Sequence, residues 1–77
     1  MRLEALIGTN VRRLRKAKGM SQELLAAEAG IDMRYLGGIE RGQENPTVSV
    51  LKGIADALGT TPAILMIDGK KIAQKPD

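Results

Sequence analysis

The chain has 77 residues, a net charge of +3, and neither cysteine nor histidine. This composition excludes a disulfide framework and a thiolate metal site, and it removes the commonest metal ligand and general base, so we expect no enzyme, no metal and no cofactor. Because no apolar run approaches the roughly 20 residues that cross a bilayer, and because the first residues lack a secretory signal, we expect one cytoplasmic domain, 1–77, without a membrane partner.

The first predicted helix, residues 3–18, combines an apolar stripe with a basic run. The stripe recurs at helical spacing, at Leu3, Ile7, Val11 and Leu14. Five basic residues without an intervening acid lie between Arg12 and Lys18. Such a run fits a solvated helix face, and it also fits long-range attraction to DNA, so the sequence leaves both interpretations open.

Residues 22–41 predict a helix, a tight turn and a second helix. Ser21 is a typical N-cap for the first of these helices. Gly30 can supply the left-handed residue that the tight turn needs. Asp32 then caps the third helix of the chain, which extends to the end of the segment.

The third helix has two contrasting faces at 100° per residue. One face is apolar with a single acid, and it holds Leu36, Ile39 and Glu40. The opposite face carries two glycines with an arginine at each end, namely Arg34, Gly37, Gly38 and Arg41. Adjacent glycines cost a helix about 1 kcal/mol each relative to alanine. We therefore expect a bare surface at the glycine pair that lies close to DNA, with the arginines reaching into or beside a groove.

The carboxyl-terminal third predicts two more helices and a tail. Thr47 caps a fourth helix over 48–58, and a proline at the first helical position starts a short fifth helix over 62–67. The segment ILMIDGKKIA also fits two short strands around an Asp-Gly turn. We favour the short helix, followed by a basic tail at 68–77.

In this register the sequence resembles Cro/cI-type helix-turn-helix domains, the superfamily of phage repressors and controller proteins. The resemblance covers about residues 12–66 and is carried by the segments VRRLRKAKGMSQELLAAEAGID, YLGGIERGQENPTVSVLKGIADALG and TPAIL. It implies an all-α, five-helix, lambda-repressor-like fold that binds double-stranded DNA. It also implies a homodimer that regulates transcription from a pseudo-palindromic operator. The segment RYLGGIERG is most similar in style to the controller proteins of restriction–modification systems.

The resemblance assigns DNA contacts to individual residues. The start of the third helix reads bases in similar proteins, which implies base contacts by Met33, Arg34, Tyr35 and Gly38. We expect Arg34 to contact guanine through two hydrogen bonds, whereas Gly38 has no side chain with which to read. Contacts to the sugar–phosphate backbone are implied for Ser21, Gln22, Arg41, Gln43 and Asn45. An acid at Glu44 would be disfavoured near phosphate. The structural alternative makes these residues caps, packing residues or solvated side chains.

Two further sets of residues are predicted to hold the protein together. Glu40 falls on the buried face of its helix, where an acid needs a partner. Arg15 borders the apolar stripe of the first helix, and the family pattern places these two positions together, so we predict a structural ion pair. Dimer contacts are expected at Pro62, Ile64, Met66 and Ile67, because Leu58 and Leu65 suffice to close the core.

Two other functional classes remain open from the sequence. The domain could be an antitoxin whose main partner is a protein toxin, or an assembly or RNA-associated module. A contact with RNA polymerase would be needed for activation, but no residue identifies that surface. Catalysis is not expected, because no carboxylates or nucleophile have catalytic spacing and the mid-helix glycine pair is not a phosphate-binding loop.

Overall fold

The computed structural model describes residues 2–68, which form five helices. In chain order they are α1 (Leu3–Ala17), α2 (Gln22–Ala29), α3 (Met33–Glu40), α4 (Val48–Leu58) and α5 (Pro62–Leu65). The predicted all-α fold class is confirmed, and the helix bounds agree with the predicted ones to within two residues. Residues 64–67 are helix, turn and bend, which excludes the first arm of the alternative hairpin. Its second arm and the predicted tail beyond residue 68 lie outside the described residues.

Short polar side chains fix where most of the helices begin. Ser21 Oγ accepts a hydrogen bond from Leu24 N at 3.0 Å, and Asp32 Oδ1 accepts one from Arg34 N at 2.6 Å. Such caps satisfy amide groups that have no partner within the helix. Thr47 and Thr61 cap α4 and α5 in the same way. The start of α3 is therefore fixed by the hydrogen bond between Asp32 and the Arg34 amide.

A left-handed glycine makes the turn between α2 and α3 tight. Gly30 has φ +73°, and the next amide, Ile31 N, donates to Ala26 O at 3.0 Å. The Ile31 side chain is partly buried and packs against the core. The turn therefore sets the direction of α3 through both a backbone hydrogen bond and an apolar anchor.

The core lies where α2 packs against α4 and α1 packs against α3. Large apolar side chains from four helices are fully buried there: Leu25, Leu36, Ile39, Ile54 and Leu65. Leu36 and Ile39 are the apolar face predicted for α3. Burying this face leaves the amino-terminal part of the opposite face towards solvent.

Two residues of α1 have roles that the sequence did not indicate. A Cβ atom placed on Gly8 would lie 2.7 Å from Glu40 O, so only glycine allows α1 to approach the end of α3 this closely. Asn10 is buried, and its Nδ2 donates to Leu65 O and Ile67 O, both at 2.8 Å. One helix therefore positions both α3 and the segment that follows α5. Among the described helices, none has the length and apolar character to span a bilayer.

Candidate nucleic-acid interface

The amino-terminal turn of α3 presents three side chains of different character. Met33 is 50% exposed, and Arg34 is also exposed. Within residues 2–68 the Arg34 guanidinium has no hydrogen-bond or ion-pair partner, so its five donors are available to a ligand. Tyr35 is half-buried and packs against the core. Only Arg34 among the three therefore offers a free charge.

The glycine pair of α3 is buried, so the expectation of a bare surface there is wrong. Side chains that follow α3 cover both glycines. Arg41 Nη1 lies 3.1 Å from where a Cβ of Gly37 would be, and Glu44 Cγ lies 2.6 Å from the equivalent point on Gly38. The glycines therefore make room for two charged side chains of the same chain. The predicted base contact of Gly38 would have to form beside Glu44.

A buried ion pair fixes α3 against α1. Arg15 Nε donates to Glu40 Oε2 at 2.7 Å, and Arg15 Nη2 donates to Glu40 Oε1 at 3.1 Å. The side chains are 10% and 3% exposed, respectively. The remaining terminal nitrogen, Nη1, donates to Met20 O at 2.9 Å. The predicted Arg15–Glu40 pair is thus present, and its bidentate geometry makes it stronger than a pair joined by a single hydrogen bond.

Gln22 connects α2 to the same carboxylate. Its Nε2 donates to Glu40 Oε1 at 3.0 Å. Glu40 is consequently held by α1 and α2 while its own helix, α3, packs on the core. Among the described residues no buried side-chain nitrogen or oxygen lacks a hydrogen-bond partner. A fully satisfied network of this kind holds α3 in one orientation.

A cleft with a basic lining opens beside this network. It has a volume of about 220 Å³ and is lined by Arg12, Arg15, Gln22, Gly37, Glu40 and Arg41. Three guanidinium groups against one carboxylate give the lining a positive balance. Arg12 was predicted only as part of the basic run. Arg12 precedes Arg15 by three residues, which places both side chains on one side of α1. This spacing could have predicted that Arg12 lies beside Arg15 at the cleft.

The remaining predicted backbone contacts lie around this cleft or in the loop after α3. Gln22 and Arg41 line the cleft, whereas Ser21, Gln43 and Asn45 are exposed outside its lining. Arg41 Nε donates to Gln43 Oε1 at 3.0 Å. Since the helical positions of Arg34 and Arg41 differ by about 20° around α3, the free guanidinium and the basic cleft lie on the same side of that helix.

A helix held rigidly on its inner face, with free and clustered arginines on its outer side, can bind a polyanion. The sequence profile of the helix-turn-helix family matches residues 11–65. The chain belongs to the Cro/cI-type helix-turn-helix family. The family expected from the sequence is therefore confirmed, and α2, the Gly30 turn and α3 form its helix-turn-helix.

Relatives of this helix-turn-helix chain include control proteins and transcription factors. It is 37% identical over 75 residues to the control protein C.SmaI of Serratia marcescens, covering 96% of this chain and 89% of that protein. The crystal structure of the restriction–modification controller protein C.AhdI from Aeromonas hydrophila matches with a TM-score of 0.78 at 44% identity, covering 80% and 94% of the two chains. A hypothetical transcription factor from Neisseria, NHTF, matches with a TM-score of 0.90 at 33% identity, covering 95% and 84%.

Proposed function

We propose that this helix-turn-helix protein regulates transcription by binding a specific sequence in double-stranded DNA as a homodimer. The observation that carries the proposal is the contrast between the two sides of α3. Its inner side is fixed by Glu40 and the core, while its outer side presents an unpaired arginine. The major groove of B-form DNA admits an α-helix, and each base pair presents a distinct pattern of donors and acceptors there.

Base recognition is assigned to the amino-terminal turn of α3. The Arg34 guanidinium can donate two parallel hydrogen bonds to O6 and N7 of guanine. This contact would discriminate against the wrong base by about 1–3 kcal/mol. Met33 is exposed enough to contact a thymine methyl group. Tyr35 packs against the core and is half-buried, and we assign it a contact with a thymine methyl or a phosphate. Gly38 lies on the same face of α3 but has no side chain, and Glu44 covers it, so a base contact at this position would have to form beside Glu44.

Backbone recognition is assigned to the basic cleft and to the residues around it. The cleft is large enough for a phosphate group, and Arg12, Gln22 and Arg41 supply donors at its edge. The amino terminus of α2 adds the favourable end of a helix dipole and the amides beside Ser21. Gln43 and Asn45 extend the contact along the strand. Contacts of this kind set the orientation of α3 but carry no sequence information.

The dimer is assigned to the end of the chain that α5 exposes. Ile64, Met66 and Ile67 are 38%, 38% and 37% exposed although they are apolar, and Pro62 lies half-buried beside them. A two-fold pair would place its two α3 helices in successive major grooves, about 34 Å apart. Co-purification of the chain with a second, different protein in place of itself would instead favour the antitoxin alternative.

Selection from random DNA duplexes tests this function directly. The wild-type protein is expected to enrich a pseudo-palindromic sequence that contains a guanine in each half-site. Repeating the selection with Arg34→Ala should relax the preference at that one base position per half-site and preserve the others. An equal loss of affinity for all duplexes would instead make Arg34 a phosphate contact, and no enrichment by the wild-type protein would reject sequence-specific binding.

A further inference from the structure

The side chain that occupies the DNA-facing side of α3 at position 38 comes from outside the helix. Gly38 lies about 40° around α3 from Arg34, one helical turn further along, so the two positions are neighbours on one face. Gly38 has no side chain, yet the space that its Cβ would enter is filled. Glu44 Cγ lies 2.6 Å and Glu44 Oε2 3.3 Å from that point.

The loop after α3 is built to place Glu44 there. Gly42 has φ +74°, a conformation that few other residues adopt, and it turns the chain back on the helix. The next amide, Gln43 N, then donates to Gly38 O at 2.9 Å. Glu44 follows directly, so the backbone hydrogen bond fixes it beside Gly38.

The Glu44 carboxylate is exposed and has no partner in the described part of the chain. It forms neither a hydrogen bond nor an ion pair within residues 2–68, although Arg34 is one turn away on the same face. The Glu44 carboxylate and the Arg34 guanidinium are therefore both available to a ligand. A carboxylate has acceptors only, and in the major groove the donor that a carboxylate can recognise is the N4 amino group of cytosine.

We propose that Glu44 is a specificity-determining residue that reads cytosine in place of the missing side chain at position 38. Glycine is required at 38 because the Glu44 side chain crosses α3 at that point. In this arrangement the Glu44 carboxylate lies over the face of α3. A carboxylate beside the DNA phosphates would instead oppose binding by charge repulsion. This assignment rests on the proposed function, because it needs α3 in the major groove.

The test is a selection from random duplexes with the wild-type chain and with Glu44→Ala and Glu44→Gln. In the alanine variant the preference for cytosine over the other bases should fall by about 10-fold at one position per half-site. The preference for guanine that depends on Arg34 should be unchanged. The glutamine variant should change that cytosine to adenine, because a carboxamide matches adenine N6 and N7. A Glu44→Ala protein with an unchanged consensus, or with equally increased affinity for all duplexes, would overturn the proposal.

A steric variant provides an independent test with a matched control. Gly38→Ala places a Cβ 2.6 Å from Glu44 Cγ, so the Glu44 side chain must move away from the helix. The variant should cause the same loss at the cytosine position, and adding Glu44→Ala should cause no further loss. Gly37→Ala is the control, because its Cβ meets Arg41 and not Glu44. It should preserve the cytosine preference. Retention of cytosine in Gly38→Ala would overturn the proposal, whereas a wild-type protein without any consensus would overturn the proposed function as well.

Discussion

At the scale of single residues, Glu40 is the side chain on which the orientation of α3 depends most. Two nitrogens of Arg15 and one of Gln22 donate to it. Removing the carboxylate leaves the Arg15 guanidinium buried without its counter-charge. Desolvating an unpaired charge is costly, so we expect Glu40→Ala to lower the free energy of unfolding by about 3–5 kcal/mol in urea denaturation.

An exposed ion pair in the same protein serves as the control for this prediction. Lys52 and Asp56 pair at 3.0 Å with side chains 68% and 63% exposed. Because solvent screens such a pair, Asp56→Ala should change stability by no more than about 0.5 kcal/mol. Equal losses for Glu40→Ala and Asp56→Ala would show that burial does not strengthen the Arg15–Glu40 interaction.

Asn10 is a second buried polar residue that joins separate parts of the fold, α1 and the carboxyl-terminal end of α5. Its side chain is the donor to Leu65 O and Ile67 O, and it is almost completely buried. Asn10→Ala would remove both hydrogen bonds, and we expect a loss of about 1–3 kcal/mol in thermal or chemical denaturation. The neighbouring Thr9 is exposed, so Thr9→Ala is the matched control. A stability for Asn10→Ala equal to that of Thr9→Ala would contradict this assignment.

At the scale of helices, the contact between α1 and α3 depends on a glycine. Alanine normally stabilises a helix relative to glycine by about 1 kcal/mol. At Gly8, however, the added methyl group would meet backbone oxygens of α3, which cannot move aside as a flexible side chain can. We expect Gly8→Ala to destabilise the protein by about 1–3 kcal/mol and to weaken DNA binding, because α3 must shift.

Gly37→Ala is the control for the Gly8 prediction within the same pair of helices. Its Cβ would meet only the end of the Arg41 side chain, which can rotate away. Its stability in thermal denaturation should therefore equal or exceed that of the wild-type protein. If Gly8→Ala melts at the same temperature as Gly37→Ala, the close approach of α1 to α3 does not need glycine.

The helices could be predicted from the sequence because their signals are local. Caps such as Ser21 and Asp32, and the left-handed Gly30, determine helix ends within a few residues of themselves. The need for a partner at Glu40 was also predictable, since an acid on a buried face requires one, whereas the choice of Arg15 came from the family pattern. The helix ends and the buried position of Glu40 follow from rules that act within one helix.

The burial of Gly37 and Gly38 under the side chains of Arg41 and Glu44 could not be predicted, because it depends on tertiary geometry. Periodicity places Gly37 and Gly38 on the outer face of α3 but does not show where Arg41 and Glu44 return after the Gly42 turn. The role of Gly8 has the same origin, since helical spacing within α1 contains no information about the backbone of α3. Contacts between elements distant in sequence require the fold.

At the scale of the whole molecule, charge placement matters more than the net charge of +3. Arginines concentrate beside α3 in the basic cleft. Each phosphate contact releases condensed counterions, so affinity for DNA should fall steeply as salt rises. Arg41→Ala and Arg12→Ala should each weaken binding to all sequences and reduce the slope of log affinity against log salt by about 1.

A basic side chain outside the cleft is the control for this salt dependence. Lys52 is exposed on α4, where it pairs with Asp56, and it does not line the cleft. Lys52→Ala should leave the slope unchanged in titrations at several salt concentrations. A slope that falls equally in Lys52→Ala and Arg41→Ala would indicate nonspecific attraction and would remove the cleft as a phosphate site.

The proposed assembly is the final property of the whole molecule, and it depends on the apolar side chains around α5. A charge at Ile64 would have to be buried in the proposed dimer, so Ile64→Glu should convert the protein to a monomer in sedimentation equilibrium while the five helices stay folded. Because a monomer contacts one half-site, its affinity for the complete operator should approach its affinity for an isolated half-site. Val48 provides the matched control, since it is also apolar and is 77% exposed, but it lies at the start of α4. A dimer that persists in Ile64→Glu and dissociates in Val48→Glu would place the interface at α4 and reject the assignment to α5.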